Sequence, residues 1–454
     1  MQGNMTRENK MGVMPVGKLL VSMSLPIMIS MLIQALYNIV DSMFVARISE
    51  DALTAVSLVF PVQNLIIAVS TGTGVGINAL LSKSLGAKDF DKANKAANNG
   101  LMLMLVSAVP FMLFGMFAAQ WFMHAQTDNA AIVQYGTEYL RIVTIVGMGQ
   151  FGAIATERLL QSTGKTVESM ITQAVGAVVN IVLDPIFIFG WCGLPAMGVA
   201  GAAIATVISQ WVSFVLGIWF NVKKNKELTL SFKDMKPDKA VIGRIYAVGV
   251  PSIVMASIGS VMTFMMNQIL IAFTATATAV LGVYFKLQSF IFMPIFGLNN
   301  GLVPIVSYNY GAKRKERMVK AYKLATLIAM SIMAVGTLLF ECIPGALLGM
   351  YNAGDHMLAL GIPALRIIGV HFVVAGFCIV TGSMFQALGN GVPSLITSVM
   401  RQLVVLLPAA WLLAQTGDVN MVWWAFPIAE VMSALMTTFF FVREYRKKIA
   451  PLGE

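Results

Sequence analysis

Long apolar runs alternate with short polar breaks along nearly the whole chain. They lie near 20–46, 55–80, 96–118, 138–161, 168–190 and 198–220, then 246–272, 279–306, 322–343, 362–386, 394–414 and 422–442. A helix needs about 20 apolar residues to cross the hydrocarbon core of a bilayer. The pattern therefore predicts an all-α polytopic membrane protein with twelve transmembrane helices. With the N-terminus inside, the cytoplasmic breaks collect Arg7, Lys10, Lys18, Lys83, Lys88, Lys92, Lys95, Arg158 and Lys165, then the basic stretches 223–244, 313–323 and 443–448. Arg47 stands almost alone in an external loop. Basic residues are retained on the cytoplasmic side, so both termini are expected there.

Composition sharpens this picture. Hydrophobic residues make up 57% of the 454 and charged residues 11%, against about a quarter charged in an ordinary soluble domain. A soluble globular protein is excluded. The net charge of +10 sits in short clusters between spans, as topology requires, so no nucleic-acid partner is expected. Cys192, Cys342 and Cys378 share no metal-ligand spacing and read as apolar packing residues. The polar start, MQGNMTRENKMGVMPVGK, lacks an apolar core with a cleavage site, so the first span is expected to serve as the membrane signal.

The two halves repeat each other. An offset of 225 residues pairs Pro26 with Pro251, Phe60 with Phe285, Gln63 with Gln288, Gly72 with Gly297, Gly76 with Gly301, Gly86-Ala87-Lys88 with Gly311-Ala312-Lys313, Leu140-Arg141-Ile142 with Leu365-Arg366-Ile367, and Gly164 with Gly389. Six spans per half is an even number, so both halves enter the membrane from the same side. The expected organisation is an N-lobe of six helices (1–220), a cytoplasmic connecting loop (221–245) and a C-lobe of six helices with a basic tail (246–454). Parallel six-span repeats are a recurring plan among secondary transporters. The alternative is duplication for the fold alone.

An ionisable group inside a span costs several kcal/mol and needs a reason. Gln34, Tyr37, Asn38 and Asp41 fall at i, i+3, i+4 and i+7, so they share one helical face that must meet the bundle interior or a watery cavity. In the fifth span Asn180 and Asp184 are spaced i, i+4, and Pro185 removes a backbone donor and should loosen the Ile181 carbonyl. At ~1.5 Å per residue, Asp41, Asp184 and Thr206 lie ~9, ~8 and ~5 Å outside the middle of their spans. These groups form an oxygen-rich set suited to a hard cation such as Na⁺, with Asp41, Asn180 and Asp184 as the metal ligands, or to a proton shared by neighbouring carboxylates. The alternative is a buried hydrogen-bond network that fixes helix packing.

The C-half differs. Met266 stands opposite Asp41 and Ala409 opposite Asp184, so the acidic site is not duplicated. That half instead carries Lys286, Arg401 and Glu430 within spans; Glu430 could neutralise either basic group, and the three read as an ion-pair network or as substrate contacts. His371 reads as a satisfied core histidine, and Glu157 beside Arg158 reads as either a gate or an interfacial pair. Glycine spacings at Gly72/Gly76 and Gly297/Gly301 permit close helix approach. Enzyme motifs are missing: Gly164-Lys165-Thr166 lacks the earlier glycine of a phosphate loop, which is Leu159, and neither HExxH nor GxSxG occurs.

Segments across nearly the whole chain, SLPIMISMLIQALYNIVDSMFVARI, SLGAKDFDKA, QSTGKT, NIVLDPIFIFG, GVAGAAIAT and NYGAKRKERM, resemble the multidrug and toxic compound extrusion (MATE) family. The resemblance implies a V-shaped transporter of two lobes in a bacterial inner membrane, exporting cationic amphipathic drugs or toxic compounds by alternating access. The export would be an antiport coupled to Na⁺ or H⁺, with no other cofactor. The chain looks closest to the bacterial branch whose cation site lies in the N-lobe. Asp41, Asn180, Asp184 and Thr206 match that cation site, and Gln34 and Tyr37 match cavity-lining positions, with Asn38 beside them. A second branch uses acids on the seventh and tenth spans, where this chain has Asn267 and His371. The expected partners are small organic cations and the lipid bilayer, and the chain is expected to act as a monomer. A flippase for a lipid-linked precursor on the same fold is the alternative, although such a protein should line its cavity with cationic groups.

Overall fold

The computed structural model describes residues 8–231 and 235–452. Arg7 and residues 232–234 of the connecting segment lie outside them. Among the described residues, ten helices are long and apolar enough to cross a membrane: Val16–Ala46, Glu50–Gly86, Phe90–Phe117, Thr166–Phe189, Gly198–Lys223, Lys239–Ile271, Ala275–Gly311, Lys315–Cys342, Val392–Ala414 and Val419–Ile449. Two pairs meet the same requirement jointly. Ala130–Ile145 with Met148–Ser162 is bent by 46°, and Asp355–Gly369 with Phe372–Ala387 by 50°. These are the fourth and tenth of twelve spans. Both were expected as continuous helices. The break residues, Val146-Gly147 and Val370-His371, include no proline, and the runs stay apolar through the bends, so hydropathy reads straight past them.

The repeat extends to local backbone geometry. Ser49 and Thr274, 225 residues apart, both cap the second helix of their half, accepting hydrogen bonds from Ala52 N at 3.0 Å and Ala277 N at 3.2 Å. Such caps satisfy amides that a helix start leaves unpaired. Lys88 and Lys313 hold φ of 56° and 57°, and Gly164 and Gly389 hold 85° and 75°. The left-handed turns therefore fall at equivalent places in both halves, at a strain cost for the two lysines that glycine avoids.

The chain forms two compact units. The first is built on Leu25–Gly249 and includes Asn9; the second joins Lys10–Ser24 to the chain from Val250 onward. The chain thus changes unit inside two helices, between Ser24 and Leu25 in the first span and between Gly249 and Val250 in the seventh. Pro26 and Pro251 stand just beyond the two crossings.

Within the first unit, glycines let backbones meet. A Cβ on Gly76 would stand 2.1 Å from the Ile245 carbonyl oxygen, and one on Gly201 2.5 Å from that of Phe187. In the second unit a Cβ on Gly301, equivalent to Gly76, would stand 2.4 Å from Ser24 Oγ. Side chains this small allow contact that van der Waals attraction rewards in a membrane.

The connecting segment is fastened at Thr229, Ser231 and Asp238. Asn94 Oδ1 accepts from Thr229 N at 2.8 Å, Asn98 Oδ1 from Ser231 N at 3.0 Å and Asn99 Oδ1 from Asp238 N at 2.9 Å. Asn98 Nδ2 donates back to the Thr229 carbonyl at 3.0 Å. Of the cysteines, only Cys378 is buried; Cys192 and Cys342 are exposed. The packing role therefore fails for those two, which sit just past the fifth span and at the last residue of the ninth.

Candidate functional site

The first-span stripe divides by depth. Asp41 and Tyr37 are half-buried, while Gln34 and Asn38 are exposed. On the fifth span Asn180 and Asp184 are buried, at 1% and 0% exposure, and Pro185 sits inside the same helix. The Asp41 and Asp184 carboxyl groups lie against each other. Asn180 Nδ2 donates to Thr206 Oγ1 at 3.4 Å, which joins the sixth span to the group.

Four buried oxygen atoms here have no hydrogen-bond partner among the described residues: Asp41 Oδ1, Asn180 Oδ1 and both carboxylate oxygens of Asp184. Among the described residues neither acid takes part in an ion pair. Two desolvated carboxyls side by side are costly when both are ionised. A proton or a hard cation relieves that cost. The described residues contain no group of three or more His, Cys, Asp or Glu placed to hold a metal, so a cation here would be held by carboxylate oxygens together with the neutral Asn180 and Thr206 oxygens.

Two residues join the site that the sequence pattern did not single out for it. Tyr139 is 2% exposed, interacts electrostatically with both acids, and accepts a hydrogen bond from Gln63 Nε2 at 3.1 Å. The repeat pairing of Gln63 with Gln288 was one available signal; Tyr139 offered none. Gln34 and Tyr37 line a cavity of about 100 Å³ that Glu157 and Gln173 also line. Asn38 is not among its lining residues, and the volume is well below the roughly 300 Å³ that a drug-sized ligand needs. Glu157 accepts from Gln161 Nε2 at 2.7 Å and from Gln173 Nε2 at 2.5 Å. Gln161 in turn accepts from Arg158 Nη1 at 3.0 Å, so it bridges the acid and the base.

In the second unit Arg401 Nη1 reaches Glu430 Oε2 at 3.3 Å. The Lys286 ammonium lies 5.7 Å from the centre of the Tyr351 ring instead. The three-residue network reduces to one ion pair and one cation–π contact, which satisfies a charge without a carboxylate. Met266 is fully buried, so the position opposite Asp41 is packed apolar core. His371 is buried and hydrogen-bonds the Ile368 carbonyl at the bend of the tenth span.

Twelve spans in two equivalent halves, with a desolvated acid pair inside one of them, define a class: multi-pass membrane transporters. The MatE family pattern matches residues 26–186 and again 251–412, once in each half. The chain belongs to the MatE family, and it is a transport protein rather than an enzyme. It is similar to the multidrug export protein MepA of Staphylococcus saprophyticus, at 26% identity over 413 residues, 91% of this chain and 90% of that protein. Among solved structures it resembles a MOP-superfamily transporter from Pyrococcus furiosus whose binding pocket is described as reversed in polarity, with a TM-score of 0.89 and 26% identity over the full length of both chains. A multidrug resistance MATE transporter in an outward-facing conformation matches equally, with a TM-score of 0.89 and 26% identity over 100% of each chain.

Proposed function

We propose that this chain is a multidrug efflux transporter that exports small organic cations by antiport, driven by Na⁺ or H⁺ moving inward. The observation that carries this reading is the buried Asp41–Asp184 pair with its unpartnered oxygens. A structural acid in a membrane keeps a basic partner; a coupling acid must be free to take and release its ion. In this reading Asp41, Asp184, Asn180 and Thr206 hold the ion, and Gln34 and Tyr37 face the path of the exported compound. The export named for the Staphylococcus relatives supports the direction and the kind of cargo. The basic clusters support cytoplasmic termini, the Staphylococcus relatives support a bacterial cell membrane, and a monomer suffices because both halves lie in one chain.

The test is efflux of a fluorescent organic cation from proteoliposomes under separately imposed Na⁺ and proton gradients. One gradient should drive efflux. Indifference to both would sink the antiport reading.

A further inference from the structure

The second unit carries a cavity that the acid pair of the first does not use. It measures about 290 Å³ and is walled by aromatic rings, including Tyr284, Phe285 and Phe426, with Arg401 and Glu430 side by side. The ion pair inside it is poorly closed. At 3.3 Å its single contact is long, since charge-assisted N–H to carboxylate bonds run to about 2.7–2.9 Å. Glu430 is nearly inaccessible at 3%, whereas Arg401 keeps 28% of its side chain exposed. Among the described residues, Arg401 spends one of its five N–H donors on Glu430. The other carboxylate oxygen, Glu430 Oε1, is buried without a partner, and so is the Tyr284 hydroxyl. Both residues line this cavity.

The backbone adds an independent observation. Arg401 sits in a π-helical stretch, Met400–Leu406, inside the eleventh span. Such wide turns break the regular ladder and recur at functional sites. Here the turn also brings Gln402 onto the same wall.

An adjacent positive and negative group with spare donors and a spare acceptor complements a ligand that carries both charges. A lone organic cation or anion would leave the triad with a net charge in low dielectric, which is costly. A zwitterion leaves four charges that cancel. We propose that this cavity is a binding site for a small zwitterionic compound of the aromatic amino-acid type. Its carboxylate meets the free guanidinium donors of Arg401, its ammonium meets Glu430 Oε1, and its ring lies among Tyr284, Phe285 and Phe426. The proposal goes beyond the coupling role of Asp41 and Asp184 and does not depend on it.

The test is saturable binding of radiolabelled L-phenylalanine to the purified full-length protein in detergent. Phenylalanine methyl ester, which lacks the anion, and N-acetylphenylalanine, which lacks the cation, serve as competitors. Unlabelled phenylalanine should compete at least about tenfold better than either, since each loses one charge pair. Arg401→Gln/Glu430→Gln, which keeps shape and hydrogen bonding but removes both charges, should lose binding. Asp41→Asn should bind phenylalanine as wild type does even where its gradient-driven efflux is lost, so this site and the antiport reading fail separately. No saturable binding, or equal competition by the ester, would overturn the proposal on the wild-type protein alone. Undiminished binding to the folded double variant would overturn it as well.

Discussion

Arg401 on the eleventh span and Glu430 on the twelfth are held 3.3 Å apart, with the acid the more deeply buried of the two. Removing the base alone strands a carboxylate in low dielectric. Arg401→Met should therefore lower stability by about 3 kcal/mol, and Glu430→Gln added to it should restore most of the loss. Thermal melting of the purified variants reads this directly. A double variant that melts no higher than Arg401→Met would show that the pair does not carry the effect.

The opposite sign is expected in the first unit. Asp41→Asn and Asp184→Asn each relieve a crowded, unpartnered carboxylate, so both variants should fold and melt at or above the wild-type temperature. Gradient-driven efflux should vanish in both. Met266→Ala and Ala409→Ser, at the equivalent C-half positions, should keep coupling. Because Met266 is fully buried, its truncation should still cost about 2 kcal/mol or more of stability. Efflux and melting measured on the four variants separate an ion site from a packing network, and vigorous cation-driven efflux by Asp41→Asn would place the coupling ion elsewhere.

Much of this was legible in the sequence because it rests on local rules. Twelve apolar runs and an offset of 225 foretell the spans and the equivalence that reappears in the caps at Ser49 and Thr274. The i, i+4 spacing of Asn180 and Asp184 placed both on one buried face. Other features were not legible, because they depend on what lies across the fold. Arg401 and Lys286 were equal candidates for Glu430 until packing set Lys286 over Tyr351. Asn94, Asn98 and Asn99 gave no sign that their amides fasten a segment more than a hundred residues away. Tyr139 became part of the site only through the third dimension.

Topology can be read with native groups. Cys192 and Cys342 are exposed and fall in segments expected outside, while Lys226 is exposed in the connecting segment. An impermeant thiol reagent applied to intact cells should label the wild-type protein. Lys226→Cys in a Cys192→Ser/Cys342→Ser background should stay unlabelled until the membrane is opened. Labelling of Lys226→Cys from outside would reverse the orientation.

The connecting segment also has a pH signature. Glu227 accepts from Asn9 Nδ2 at 2.9 and 2.8 Å. Burial pushes its carboxyl up, and the Asn9 hydrogen bond and the Lys165 charge only partly offset this. A carboxyl raised in the folded state contributes stability that is complete below its unfolded value and is lost as pH rises through the folded one. Glu227→Gln should therefore melt higher than wild type at neutral pH, and the difference should close as pH falls below the ordinary carboxylate range. A gap that widens in acid would contradict the desolvation account.

The exchange of segments at Ser24/Leu25 and Gly249/Val250 bears on how the chain is made. Domains generally fold as they leave the ribosome, the earlier one first. Here the early unit lacks its last piece until Gly249 has been synthesised, and Lys10–Ser24 has its packing partners only after the second half exists. The beginning of the chain must wait for the end. Assembly of the two units is thus tied to completion of a single polypeptide, and a truncated product would leave Lys10–Ser24 without the unit to which it belongs.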